Sequence, residues 1–341
     1  MNGRSTLTQN QVSGLSRRPD CEVGNRLPAS AKEPSSTGSA RKSTSLPRFS
    51  RNRFFHSTLA VSALALTAFM VVMLRVLSMS VPAGQLTDIG TAVVPAALAA
   101  IYCHWRGFEK LREGALIVMW ACVMSRLLMF PMYAAARLHF PLRDNLFAVI
   151  DHRFGMEVPI ILNWMTHHPA LNALLSYSYD ALFPLMVVAV IVPAVGGKLT
   201  AAKEFVVANL VAAVIGTCAF AFVPGVGPWT VYKFPPAPDQ RLCAAMVHAL
   251  REQGQFRIDL NYSSGLICFP SFHVILAILS AAALWSFRPL RPFAAIVCAL
   301  VVVSAVTTGW HYVIDVLGGI LFAAASIAAA KAFTRLEARF Q

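Results

Sequence analysis

Eight apolar stretches lie between residues 57 and 331, near 57–77, 89–105, 114–136, 171–195, 204–223, 270–287, 292–309 and 311–331. A helix needs about 20 apolar residues to cross a bilayer, with about 17 as the lower bound. Several stretches sit close to that bound. The pattern predicts an all-α fold, a polytopic membrane helical bundle of about eight transmembrane helices. Composition agrees: 57% of the 341 residues are hydrophobic, 13% are charged, and mean hydropathy is +0.59. A soluble domain carries about 25% charged residues, so a disordered chain is excluded and an ordinary soluble globule disfavoured. Seven Cys in a chain this long exclude a small disulfide scaffold.

The net charge of +13 admits two readings, nucleic-acid binding or marking of the cytoplasmic face. Position decides. Eight crossings with an inner N-terminus put the C-terminus inside too. The inner segments then hold 20 of the 29 Lys and Arg, and the two large outer loops, 137–170 and 224–269, hold seven. Even the short turn Arg288-Pro-Leu-Arg291 is basic. The charge therefore reads as orientation, and no nucleic-acid partner is implied. Residues 1–53, with ten Lys/Arg, three acids and no apolar periodicity, read as a disordered basic cytoplasmic tail ahead of an organelle transit peptide or an over-long start. The expected organisation is this tail, three N-terminal transmembrane helices over 54–136, a catalytic core over 137–331, and a short cytoplasmic tail over 332–341.

Residues 141–170 interleave apolar positions with Arg143, Asp144, Asp151, His152, Arg153 and Glu157, which predicts a partly helical segment lying on the outer face. Arg126, in the middle of a span, costs roughly 2.5–3.5 kcal/mol on insertion scales and should face the bundle interior or a polar cavity. Cys243 and Cys268 both fall in the second outer loop, where a disulfide between them would pin the loop beside Ser271. The chain has no internal repeat of the kind found in many transporters.

Two polar clusters open the sixth and eighth stretches: Phe269-Pro270-Ser271-Phe272-His273 and Thr307-Thr308-Gly309-Trp310-His311-Tyr312-Val313-Ile314-Asp315. The topology puts both at the outer face, at the starts of two inward-running helices. His311 and Asp315 are spaced i, i+4 and share a helix face. A carboxylate accepting Nδ1–H fixes the tautomer and leaves Nε2 as nucleophile or base. Pro270 and Ser271 suit a helix start, and unpaired N–H groups there attract phosphate. His273, in the first turn, is placed to protonate a leaving oxygen. Together these parts fit metal-free phosphoryl transfer through a phospho-histidine. A His-x-x-x-Asp arises by chance about 0.2 times in a chain of this composition, so the weight lies in two such signals on one membrane face.

At these residues the sequence resembles the phosphatidic acid phosphatase type 2 superfamily. Pro270-Ser271-Phe272-His273 matches its Pro-Ser-x-His signature. Ser304, Gly309, His311, Tyr312, Asp315, Val316 and Gly319 match its Ser-Arg-x5-His-x3-Asp signature and flanks. The resemblance implies His311 as nucleophile, His273 as acid/base and Asp315 as orienting group, with no cofactor. Three departures stand out: Ala305 replaces the signature Arg, Phe272 replaces a Gly, and no Lys-x6-Arg-Pro motif precedes Ser271. They resemble the branch of inositol phosphorylceramide synthases and sphingolipid phosphotransferases, as do Asn145-Leu-Phe-Ala-Val-Ile-Asp151, Gly155 and Pro224-Gly-Val-Gly-Pro228. That branch favours a phosphotransferase of inositolphosphotransferase type. With the Arg missing, Lys233 and then Arg241 are the expected phosphate partners beside Ser271.

The expectation is an integral membrane enzyme acting on lipid phosphates, placed in a bacterial inner membrane with its site facing the periplasm. Oligomeric state is left open. Three other readings compete: a lipid or small-solute transporter, a metalloenzyme with His273, His311 and Asp315 as ligands, and a non-catalytic scaffold.

Overall fold

The computed structural model describes residues 53–252, 254–259 and 266–339. The tail expected over 1–53 lies outside them except for Arg53. The chain runs through fourteen helices among the described residues. The first three are α1 (Arg53–Val76), α2 (Ala83–Trp105) and α3 (Glu109–Leu127), followed by α4 (Met129–Arg137), α5 (Asp144–Arg153), α6 (Val158–Thr166), α7 (Pro169–Asp180) and α8 (Leu182–Val195). After them come α9 (Leu199–Phe222), α10 (Trp229–Tyr232), α11 (Pro238–Glu252), α12 (Phe272–Leu284), α13 (Arg291–Thr307) and α14 (Val313–Arg339).

Each of the eight apolar stretches is helical. Five helical segments are long and apolar enough to cross a membrane: 53–76, 109–137, 199–222, 288–307 and 313–339. The pair α7–α8, bent by 46° at residue 181, makes a sixth if counted as one span. Val93–Trp105, the apolar part of α2, and α12 are apolar but shorter. Among the described residues, five or six of the expected eight are thus of crossing length, and the other two are α12 and the apolar part of α2. The outward face of α1 leaves Val61, Leu64, Phe69, Val71 and Val72 uncovered, a contiguous apolar surface that suits lipid rather than water. This is an all-α integral membrane protein.

α9 is the hub and packs against α3, α8, α12 and α14. Its buried residues Ala202, Ala208, Ala212 and Ala213 are small enough to let four neighbours approach. At one end of the bundle, Lys203 of α9 meets Glu337 of α14 at 2.7 Å, with both side chains buried, and the ammonium lies 5.1 Å from the Phe55 ring centroid. A buried charge is tolerated when it is paired, so this contact fixes α1, α9 and α14 together. α14 continues as helix to Arg339, through much of the stretch expected as a tail.

At the opposite end, residues 79–80 pair in parallel with 256–257 (Met79 with Phe256, Ser80 with Arg257). This two-residue ladder ties the α1–α2 turn to the long loop between α9 and α12. The loop's Cys243 and Cys268 are thiols rather than a disulfide, which corrects the pairing considered from the sequence. Cys268 instead bonds to Asp315, as described below.

Gly319 sets the distance between α14 and α12. A Cβ there would lie 2.8 Å from the Ser271 carbonyl oxygen and 2.9 Å from Val274 Cβ. Overpacking of this kind costs about 1–3 kcal/mol. Gly319→Val is therefore expected to lower the thermal midpoint of the detergent-solubilised protein by the equivalent of about 2 kcal/mol. An unchanged midpoint would mean that the helix contact is looser than drawn.

Candidate active site

α12 and α14 begin side by side. Ser271, fully buried, is the N-cap of α12, and its hydroxyl oxygen faces the Val274 N–H at 3.5 Å. Its own backbone N–H donates to the Asp315 carbonyl at 3.0 Å. The two signatures are thus joined directly through main chain. His273 follows in the first turn of α12. His311 sits in the turn before α14, where Gly309 adopts φ +76°. That left-handed backbone is open to glycine at little cost, and it turns the chain from α13 into α14. The His273 and His311 rings lie 6.2 Å apart between centroids.

His311 is buried. Its Nδ1 lies 3.1 Å from the Cys268 carbonyl oxygen and 3.4 Å from Asp315 Oδ2. A carbonyl only accepts, so Nδ1 carries the proton and Nε2 is left with its lone pair. From the sequence, Asp315 alone carries this orienting role; in the structure the Cys268 main chain shares it.

Asp315 is fully buried. Counting Val313 as the first helical position, it is the third, and its Oδ2 reaches back to the Tyr312 N–H at 2.9 Å. This is half of a capping box, in which a third-position acid satisfies the cap N–H. The same oxygen accepts from Cys268 Sγ at 3.1 Å. Burial raises the Cys268 thiol well above its ordinary range, and the neighbouring Asp315 and Asp144 carboxylates add to the rise. It therefore donates as a neutral thiol. Among the described residues, Asp315 Oδ1 has no hydrogen-bond partner.

Two further carboxylates hold this arrangement. Asp151 of α5 accepts from the Val313 N–H at 2.7 Å and the Ile314 N–H at 2.9 Å. The first two amides of α14 are thus capped from 162 and 163 residues away in sequence. Asp144, at the start of α5, accepts from the Val226 N–H at 3.0 Å and the Gly227 N–H at 2.9 Å, with Tyr312 Oη at 3.4 Å. Burial raises both carboxyls, against the lowering effect of these N–H groups. Tyr312 Oη also faces the Gly227 carbonyl at 3.2 Å. One face of α5, within the segment expected on the outer surface, therefore packs under the His311 turn, with Asp144 and Asp151 buried. A carboxylate pair seven residues apart among apolar neighbours was the visible sign; its target, the N-terminus of α14, was not.

His273 is held by aromatic rings. Tyr179 stacks on it with centroids 3.9 Å apart and planes 13° apart, and Phe183 meets it edge-on. Tyr179 Oη is 3.1 Å from His273 Nδ1. Rings this nearly parallel leave the hydroxyl above the imidazole rather than in line with its in-plane lone pair, so stacking is the stronger restraint. Tyr179→Phe is expected to keep turnover within about threefold. Tyr179→Ala, which loses a stack of about 0.5–1.5 kcal/mol, should cost up to about tenfold in kcat. A Phe variant as impaired as the Ala variant would assign the effect to the hydroxyl.

Both histidines line one end of a cavity of about 330 Å³. Its walls are largely apolar: Met124 and Leu128 of α3 and its end, Met132 of α4, Met186 and Val190 of α8, and Phe205 of α9 are among them. Among the described residues, no Lys or Arg lines it. Lys233 is exposed, in a left-handed turn at φ +55°. Arg241 is exposed and donates to the Pro236 carbonyl at 2.5 Å. The structure brings Ser271, His273, His311 and Asp315 together and leaves Lys233 and Arg241 off the cavity wall. Arg126 is partly exposed beside the wall residues Ser125 and Leu128 and does not line the cavity itself. The grouping of potential metal ligands found among the described residues is Cys268, His311 and Asp315, with Cys268 where the sequence reading had His273.

The geometry thus offers a free imidazole nitrogen, a second imidazole beside it, and an apolar chamber opening from both. Comparison with curated proteins and with solved structures returned no match. The family model described as PAP2 superfamily matches residues 144–329, from the Asp144 clamp to the middle of α14. That stretch is more than half of the chain and holds both signatures: the protein belongs to the PAP2 superfamily.

Proposed function

We propose that the chain is a membrane phosphotransferase or phosphatase that takes a lipid-borne phosphate and passes it through a phospho-histidine on His311. The observation that carries this reading is the cavity: its reactive end holds two histidines, and its remaining wall is largely apolar, from α3, α4, α8 and α9 among others. A phosphate ester with an acyl or prenyl chain matches both ends.

His311 Nε2 attacks phosphorus while Nδ1–H stays bonded to the Cys268 carbonyl and Asp315. The P–O bond to the lipid alcohol breaks, and His273 donates its proton to the departing oxygen. Asp315 balances the charge on the phosphorylated imidazole. His273, now a base, takes a proton from water or from an acceptor alcohol, whose oxygen attacks phosphorus and frees His311. No step requires a metal. Water as acceptor gives a phosphatase. An alcohol gives a transferase, and the absent signature Arg at Ala305, with the inositol phosphorylceramide synthase-like pattern at 145–151, favours the transferase. In this reading the site faces the outside of a bacterial inner membrane.

The test is release or transfer of phosphate from phosphatidic acid and from a prenyl diphosphate by the purified protein in detergent, with and without chelator and with an alcohol acceptor panel. Chelator-resistant turnover is expected. Turnover that chelator abolishes and a divalent ion restores would replace this scheme with metal catalysis. Inactivity across the whole donor and acceptor panel would move the protein to transport or scaffolding.

A further inference from the structure

We propose that Cys268, His311 and Asp315 form a Zn²⁺ site whose occupancy switches the enzyme off. The inhibitory part rests on the function proposed above; the metal site does not.

The three ligand atoms converge. Cys268 Sγ is 3.1 Å from Asp315 Oδ2, His311 Nδ1 is 3.4 Å from the same oxygen, and one ligand atom from each of the three residues lies within 4.8 Å of the other two. Zinc bonds of about 2.3 Å to sulfur and about 2.0–2.1 Å to nitrogen and oxygen imply ligand–ligand edges of roughly 3.3–3.6 Å in a tetrahedron. Two edges already lie within a few tenths of an ångström of that. The third, within 4.8 Å, closes with a movement of about 1.5 Å at most. Asp315 Oδ1, buried and without a partner among the described residues, supplies a second carboxylate oxygen or holds a water in the remaining position. Thiolate, imidazole and carboxylate together are a donor set that suits zinc better than magnesium or calcium. Charge also balances: a thiolate, a carboxylate and a neutral imidazole make an electrically neutral complex with Zn²⁺, where the metal-free site buries a carboxylate. Cys268 and His311 both line the cavity, so the ion enters from the side that substrate uses.

The consequence for His311 follows from proton accounting. Zinc displaces the proton of the Cys268 thiol, which leaves to solvent. It takes the Nδ1 lone pair of His311, and the single proton of the neutral imidazole moves to Nε2. The nitrogen that would attack phosphorus then carries a hydrogen and has no lone pair. Neither catalytic histidine is lost or oxidised, so removing the metal restores the original tautomer.

The experiment uses full-length protein in detergent, stripped with chelator and titrated with Zn²⁺ or Co²⁺ alone. One equivalent of Co²⁺ is expected to produce a near-ultraviolet thiolate-to-cobalt absorption band that excess Zn²⁺ removes. The band should persist in a Cys122→Ser/Cys243→Ser variant, which removes the other cavity thiol and the other loop thiol. It should vanish in Cys268→Ser, with affinity for zinc reduced at least about 100-fold, beyond the roughly 10–100-fold typical of outer-shell changes. Wild-type turnover should fall below a tenth at saturating zinc and recover with chelator. Absence of the band in wild type, or its survival in Cys268→Ser, would overturn the site. If Cys268→Ser does not fold, loss of the band in the double variant overturns the site and its retention upholds it. A band without any lipid-phosphate turnover would defeat the proposed function and leave the metal site standing. Turnover that zinc leaves untouched, with the band present, would overturn the inhibitory role.

Discussion

Replacing His311 with alanine is expected to lower lipid-phosphate turnover at least about 10⁴-fold, because it removes the atom that forms the new bond to phosphorus. The fold should survive. Asp315 Oδ2 keeps the Tyr312 N–H and the Cys268 thiol as donors, and Ser271 N–H still binds the Asp315 carbonyl. His273→Ala provides the contrast. General acid catalysis is worth about 10²–10⁴-fold, and the need for it falls as the leaving alcohol becomes more acidic. An aryl phosphate should therefore partly rescue His273→Ala and leave His311→Ala inert. Equal rescue of both would mean that the roles assigned to the two rings are wrong.

Asp151→Ala is expected to lower kcat about 10²-fold with a smaller change in KM. The carboxylate touches no reacting atom. It holds the Val313 and Ile314 N–H groups, one and two residues from the His311–Tyr312 turn and one short of Asp315. A misplacement of about 1 Å at a reacting centre costs about 10²-fold. Asp151→Asn keeps one carbonyl acceptor and should lose about tenfold, so the order wild type, Asn, Ala is part of the prediction. Steady-state kinetics on the three proteins check it. A loss in KM alone would make Asp151 part of the substrate surface instead.

The helical bundle was legible because hydrophobic run length is a local property. All eight apolar stretches are helical, yet Phe272–Leu284 is shorter than its apolar run, since run length does not reveal where a helix is capped. Ser271 stops α12 from starting earlier by capping it. Ser271, His273, His311 and Asp315 were visible because spacing and residue type encode them. The groups that hold them were harder to see. Cys268 acts partly through its backbone carbonyl, which any residue would supply. Tyr179 reaches His273 from a helix whose sequence holds nothing unusual. Asp144 and Asp151 read as polarity on a surface segment because nothing local says that α5 passes beneath α14. Lys233 and Arg241 are expected phosphate partners only by their position in a loop, and neither is among the residues that line the cavity.

The central claim is a covalent bond between phosphorus and His311. The most direct measurement is rapid denaturation of the protein during turnover of a ³²P-labelled lipid phosphate, followed by peptide mapping of the label. The account predicts an acid-labile, alkali-stable label on the peptide containing His311, absent from His311→Ala and slower to discharge in His273→Ala. Label on any other residue, or undiminished turnover in His311→Ala, would contradict it.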